Sequence, residues 1–241
     1  MIHQQPQKTG IDFVIKRAFF YWKTTIFYQI ILSIMYFGIL ISVAQFAAEK
    51  LGLLDEYLKI IKNSQGNFHR LESGIKHLVN NPNLPTFSLI LMLTQAFVFP
   101  LQVGIFKIYR KIDINESYNF NDILSGYEGR NFFVFVTYFI FFEGVSSILK
   151  PLVFLSPIWI IITIFVVPLM FFMNTSLLKS ISYNLSALKV HFFPIIICLL
   201  VATLFKYLGF LFFGIGGLLT FPFTTAMIYA LYSVVFSEKR P

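Results

Sequence analysis

Six runs of about 20 apolar residues, at 24–47, 86–109, 131–149, 152–173, 192–212 and 214–236, constrain this chain more than any other feature. A helix rises about 1.5 Å per residue, so each run is long enough for a hydrocarbon core roughly 30 Å thick. In hydrocarbon every backbone N–H and C=O must be bonded within the protein, and for runs of this length helices achieve that. The expected fold class is therefore all-α: a polytopic membrane bundle of six transmembrane helices. Composition agrees, since 57% hydrophobic and 12% charged residues leave too little polar surface to cover a water-soluble fold.

Between the runs lie segments of a second kind. Ile11, Val14, Ile15, Ala18, Phe19 and Trp22 recur at helical spacing, with Asp12, Lys16, Arg17 and Lys23 elsewhere on the wheel. That pattern predicts an amphipathic helix in the membrane interface, with Tyr21 and Trp22 as an aromatic belt before the first span. Phe120, Ile123, Leu124 and Tyr127 predict a second interfacial helix, and Leu177, Leu178, Ile181, Leu185, Leu188 and Phe192 a third. Residues 49–85 are the one sizeable polar segment. Two apolar stripes, Leu51 to Ile61 and Phe68 to Leu78, flank a Ser64–Asn67 turn and predict two short amphipathic helices. The domain reading is a single membrane domain over 1–241 with 49–85 as an extramembrane helical insertion: a connecting hairpin on the membrane surface, or a lid.

Pro100, Pro168 and Pro222 each sit inside a run that follows another run. The order amphipathic segment, first span, proline-bearing span thus occurs three times, from about residues 11, 120 and 177, a pattern compatible with three repeated hairpins. A proline inside a helix frees the carbonyl four residues earlier, which in a membrane needs another partner. Gln95, Gln102, Thr220, Thr224 and Thr225 lie within about a turn of these prolines and are candidates for that work. The plainer reading is that the prolines bend the spans so that they pack.

The net charge of +8 is read as a topology signal, because Lys and Arg flank the runs; nucleic acid is not an expected partner. Hairpins that begin and end on one side place Lys8, Lys16, Arg17, Lys23, Lys107, Arg110, Lys111, Arg130, Lys179, Lys189, Lys239 and Arg240 together, 12 of the 19 basic residues. The positive-inside rule then puts both termini in the cytoplasm and 49–85 outside. No small-residue cleavage site follows the N-terminal basic residues, so the first run is expected to remain a span rather than a signal peptide.

Chemistry-bearing sets are sparse. Cys198 is the single cysteine, and His3, His69, His77 and His191 fall on both predicted sides of the membrane, too far apart to ligate one iron. No GxSxG and no phosphate-binding glycine loop is present. The Asn-x-Ser sequences at Asn115, Asn174 and Asn184 fall on the predicted cytoplasmic side, where they carry no glycosylation meaning. The expectation is a protein that is not an enzyme and has no cofactor and no metal. Glu143 is the carboxylate lying well inside a predicted span. An ionisable group there is a functional candidate by default, with Lys150 or Lys206 as partner; the competing reading lets it reach the outer surface beside Gly144, Ser146 and Ser147.

Two stretches carry a resemblance: the lead-in Leu178 to Leu188, and the closing Gly214-x-Gly216-Gly217-Leu218-Leu219-Thr220-x-Pro222 with Tyr229 and Tyr232. Over these last 70 or so residues the chain resembles uncharacterised bacterial polytopic integral-membrane proteins related to the membrane domain of glycerophosphodiester phosphodiesterases. The resemblance implies the six-span fold and a bacterial inner (cytoplasmic) membrane, and no activity; the phosphodiesterase catalytic domain has no counterpart here.

The functional expectation is an accessory or scaffold subunit of a membrane complex, with the lipid bilayer and a membrane protein as partners. Its alternative is a transporter or lipid-handling protein with a path between proline-kinked helices. The candidate functional residues are Glu143, Gln95, Gln102, Pro100, Pro168, Pro222 and Lys206.

Overall fold

The computed structural model describes residues 10–152, 154–211 and 215–236; His3, Lys8, Gly214, Lys239 and Arg240 of the sequence reading lie outside them. The helices are α1 (Ile11–Thr24), α2 (Ile26–Lys50), α3 (Leu53–Ser64), α4 (Phe68–Val79), α5 (Leu84–Asp113), a 3₁₀ helix (Phe120–Tyr127), α6 (Asn131–Leu149), α7 (Leu155–Thr163), α8 (Val166–Met173), α9 (Leu177–Leu211), α10 (Ile215–Thr220) and α11 (Phe223–Val235). No strand occurs among the described residues. Six helical stretches are long and apolar enough to cross a membrane, with α7–α8 and α10–α11 each making one of them, and the protein is a polytopic helical bundle. The chain forms two units, one of 1–34 with 99–241 and one of 35–98; the boundaries fall within α2 and α5.

The 35–98 unit carries the polar insertion, where α3 and α4 pair as their two stripes predict. Gln65 and Gly66 both take left-handed φ values, 47° and 78°, a conformation that costs glycine little, and this reverses the chain. Asn67 caps α4 by accepting from the backbone N–H groups of His69 (3.0 Å) and Arg70 (3.3 Å). Glu56 ties the far end of α4 to α3, its carboxylate accepting from Asn81 Nδ2 (2.5 Å) and lying 2.9 Å from His77 Nδ1. Leu58, Phe68 and Val79 remain exposed.

In the larger unit one relation recurs three times. Each amphipathic segment packs against a proline-bearing span of a different hairpin. The segment α1 lies along α11, with Phe19 4.6 Å from Phe223 between ring centroids. The 3₁₀ helix lies against α5, so closely that a Cβ at Gly104 would overlap the carbonyl oxygen of Ile123, and one at Gly126 that of Pro100. The first half of α9 lies against α7 and α8.

The aromatic-belt expectation for Tyr21 and Trp22 needs correction on that account. Its Tyr21 is fully buried, and Trp22 donates from Nε1 to the Leu219 carbonyl at 2.8 Å, so neither belongs to an aromatic belt facing headgroups. The hydrophobic periodicity marked the right face of α1; that face meets protein. A second difference is that the fourth and sixth runs are interrupted helices. The fourth breaks at Ile164–Phe165, three residues before Pro168, and the sixth at Phe221–Pro222. By contrast α5 continues through Pro100. In α9 the third amphipathic segment runs straight into the fifth span, with a kink at His191 (φ −117°, ψ 27°).

Candidate functional site

The interruptions face one another. Between α5, α6, α7, α8, α9 and α11 of the larger unit lies a cavity of about 470 Å³, within the range of small-molecule and lipid sites. One wall is aromatic, built by Phe99 and Phe106 of α5 and by Tyr138, Phe139 and Phe142 of α6. The opposite wall carries hydroxyls and one cation: Thr203, Lys206 and Tyr207 of α9 with Thr224 and Thr225 of α11. Ile160, Thr203 and Tyr207 are exposed as well as lining, so the cavity reaches the surface between α7 and α9.

Three of the residues singled out from sequence meet here: Gln102, Pro168 and Lys206 all line the cavity, with Thr224 and Thr225 beside them. Pro100 and Pro222 are buried and stand next to lining residues, Pro100 beside Phe99 and Pro222 two residues before Thr224. They shape the walls without forming them. Glu143 does not line it; its carboxylate pairs with Lys150 Nζ at 2.6 Å, and the two side chains are 24% and 61% exposed. Of the two partners proposed for Glu143 the structure thus selects Lys150 and leaves Lys206 apart. Gln95 belongs to the 35–98 unit and is not among the lining residues.

Lys206 is half-buried. Its Nζ lies 5.3 Å from the Phe221 ring centroid, and among the described residues no carboxylate lies within ion-pair distance of it. Its position is fixed through the backbone, because the Thr220 hydroxyl is 3.1 Å from both the Lys206 and the Gly216 carbonyls. Thr220 is therefore level with the Lys206 backbone, and Thr224 stands four residues further on, beyond the Phe221–Pro222 break. The Thr224 hydroxyl is buried with no hydrogen-bond partner among the described residues. A cation, an unpartnered hydroxyl and an aromatic wall opposite are suited to an amphiphile.

The side chain that holds this wall open is Asn184, which the sequence reading passed over as a meaningless glycosylation sequence. It is fully buried, accepts from Phe165 N–H (3.0 Å) and donates to the carbonyls of Ile161 (3.0 Å) and Ile162 (2.6 Å). Those are backbone groups that the break between α7 and α8 would otherwise strand in the membrane. A signal was available. Asn184 falls seven residues after Leu177 and four before Leu188, on the apolar face of its helix, where an amide needs a reason to be. Of the partners proposed for the freed carbonyls, Thr220 bonds Lys206 and Gly216, neither of them the carbonyl freed by Pro222.

A second polar centre was also missed. Asp113, at the end of α5, accepts at Oδ1 from Arg17 Nη2 (2.9 Å) and Tyr21 (2.5 Å), and at Oδ2 from Tyr229 (2.8 Å). Burial and the adjacent Asp113 carboxylate hold the Tyr21 hydroxyl well above the ordinary tyrosine range, so it stays a donor. Gln29 extends the cluster, donating to Thr25 (2.6 Å) and Tyr109 (3.0 Å). Thr25, Gln29 and Ser33 recur every fourth residue, a polar line inside a first span that the sequence did display. At the 3₁₀ helix Asp122 plays the equivalent part, 2.8 Å from Lys111 and 3.6 Å from Lys107. Burial alone would raise its pKa, but Lys111 and the Asn119 N–H outweigh that and hold it below the usual carboxylate range.

Among the described residues no three His, Cys, Asp or Glu side chains gather where they could hold a metal. Comparisons with protein-family models, with curated proteins and with solved structures find no match to this chain.

Proposed function

We propose that this is a non-catalytic membrane protein that binds and handles an amphiphile in the cavity between its interrupted, proline-bearing helices. The observation that carries the reading is the asymmetry of the cavity, aromatic on one wall and hydroxyl- and lysine-bearing on the other, with an exposed edge between α7 and α9. An apolar chain can enter such a site laterally while its polar end keeps polar company.

The accessory-subunit reading has less support. It rests on the lack of a catalytic set and on three interfacial helices on one face, and the inner faces of those segments are taken up by packing within the chain: Tyr21, Ile123 and Asn184 are each fully buried. For localisation we infer a bacterial inner membrane with both termini cytoplasmic, which puts Lys206 and the mouth toward the outer leaflet.

Lipid analysis tests the reading. Protein purified in a mild detergent is expected to retain a defined amphiphile at close to one per chain, and Thr225→Phe, which fills the cavity, is expected to lose it. If wild type and Thr225→Phe carry the same lipids in the same amounts, the proposal fails.

A further inference from the structure

We infer that the cavity selects an anionic amphiphile with a single apolar chain, its headgroup at Lys206 and its chain directed past Thr224 along the aromatic wall; this rests on the amphiphile-handling reading. The sign of the headgroup follows from Lys206. A half-buried lysine, its Nζ facing the Phe221 ring with no carboxylate at ion-pair distance among the described residues, lacks the counter-charge that buried cations normally have. Three other part-buried cations of this unit, Arg17, Lys107 and Lys111, are paired with Asp113 and Asp122. A carboxylate or phosphate brought in by the ligand supplies Lys206 with the same kind of partner.

The number of chains follows from the space. A cavity of about 470 Å³ is at the lower end of ligand-sized sites, and six helices line it, with exposed lining residues on α7 and α9. Two acyl chains and a glycerol do not share that volume, whereas one chain lies along Phe139, Phe142 and Phe99 toward Gln102. The partnerless Thr224 hydroxyl belongs to a residue that lines the same cavity as the cation, where a ligand carbonyl or ester oxygen can accept from it.

The test uses full-length protein in uncharged detergent and three probes on one chain: cis-parinaric acid, its methyl ester, and a lysophosphatidic acid as competitor. Wild type is expected to bind the acid at least about tenfold more tightly than the ester, as loss of a charge-assisted hydrogen bond implies. Lys206→Gln should abolish that preference, and Lys206→Arg should restore it even if the glutamine variant folds poorly. Displacement by lysophosphatidic acid at lower concentration than by unlabelled fatty acid assigns the headgroup to phosphate, and the reverse order assigns it to carboxylate; both support the inference. Equal binding of acid and ester, unchanged in Lys206→Gln, overturns it while leaving the amphiphile site standing. Binding of neither probe, or binding that Thr225→Phe does not reduce, removes the site itself.

Discussion

Replacing Asn184 by leucine removes three hydrogen bonds at once and leaves the shape of the side chain nearly unchanged. The groups left unpaired are Phe165 N–H and the carbonyls of Ile161 and Ile162, all at the break between α7 and α8. Interhelical hydrogen bonds in membrane proteins contribute about 0.6–1.7 kcal/mol each, so three predict a loss of about 2–5 kcal/mol. The site is fully buried, which places the loss toward the upper end. Unfolding in detergent micelles can be followed through Trp159, which sits on α7 with its ring stacked 5.9 Å from that of Phe142. Ser186→Leu, two residues away and exposed, is the control and should cost no more than about 0.5 kcal/mol. If Asn184→Leu costs less than about 1 kcal/mol, or no more than Ser186→Leu, then the break does not depend on this amide.

The other predictions address the remaining anchors. Asp113→Asn, which uncouples Arg17 and weakens two tyrosine bonds, should cost about 2 kcal/mol or more and expose a cysteine placed at the fully buried Ala18 to maleimide in a Cys198→Ala background. Gly104→Ala forces a methyl group into the Ile123 carbonyl and should destabilise by about 1–3 kcal/mol, whereas Gly38→Ala, which meets nothing within 4 Å, should be neutral in thermal unfolding. The folded pKa of Asp122 is depressed, so its contribution is full above the unfolded carboxylate value of about 3.9 and is lost as pH falls through the folded value. The gap in melting temperature between wild type and Asp122→Asn should accordingly be constant at pH 5–7 and close at lower pH. Glu143→Gln breaks an exposed pair and should change stability by no more than about 1 kcal/mol without altering lipid retention.

The spans were legible because a bilayer imposes one length and one hydrophobicity on every helix that crosses it. The third span, 131–149, coincides with α6, and the α3–α4 hairpin turns where Ser64–Asn67 said it would. What composition did not reveal is which apolar face meets lipid and which meets protein. Periodicity is identical in the two cases, and so Tyr21 and Trp22 looked like headgroup contacts although both are bonded inside the bundle. The site was half legible. Prolines marked the interrupted helices, and Gln102 and Lys206 stood out as polar groups in apolar runs. Glu143 stood out by the same rule and pairs with a neighbour near a helix end, because a span's hydropathy does not tell which side a residue faces. Asp113 carried no local signal: its partners lie 96, 92 and 116 residues away in the chain.

The most direct measurement is an experimental density map of the protein purified with its native lipids. The account predicts one elongated feature in the cavity, its polar end within hydrogen-bonding distance of Lys206 Nζ and its tail beside Phe139. A cavity closed by contact between the Phe139 and Thr225 side chains, or holding only water, contradicts it.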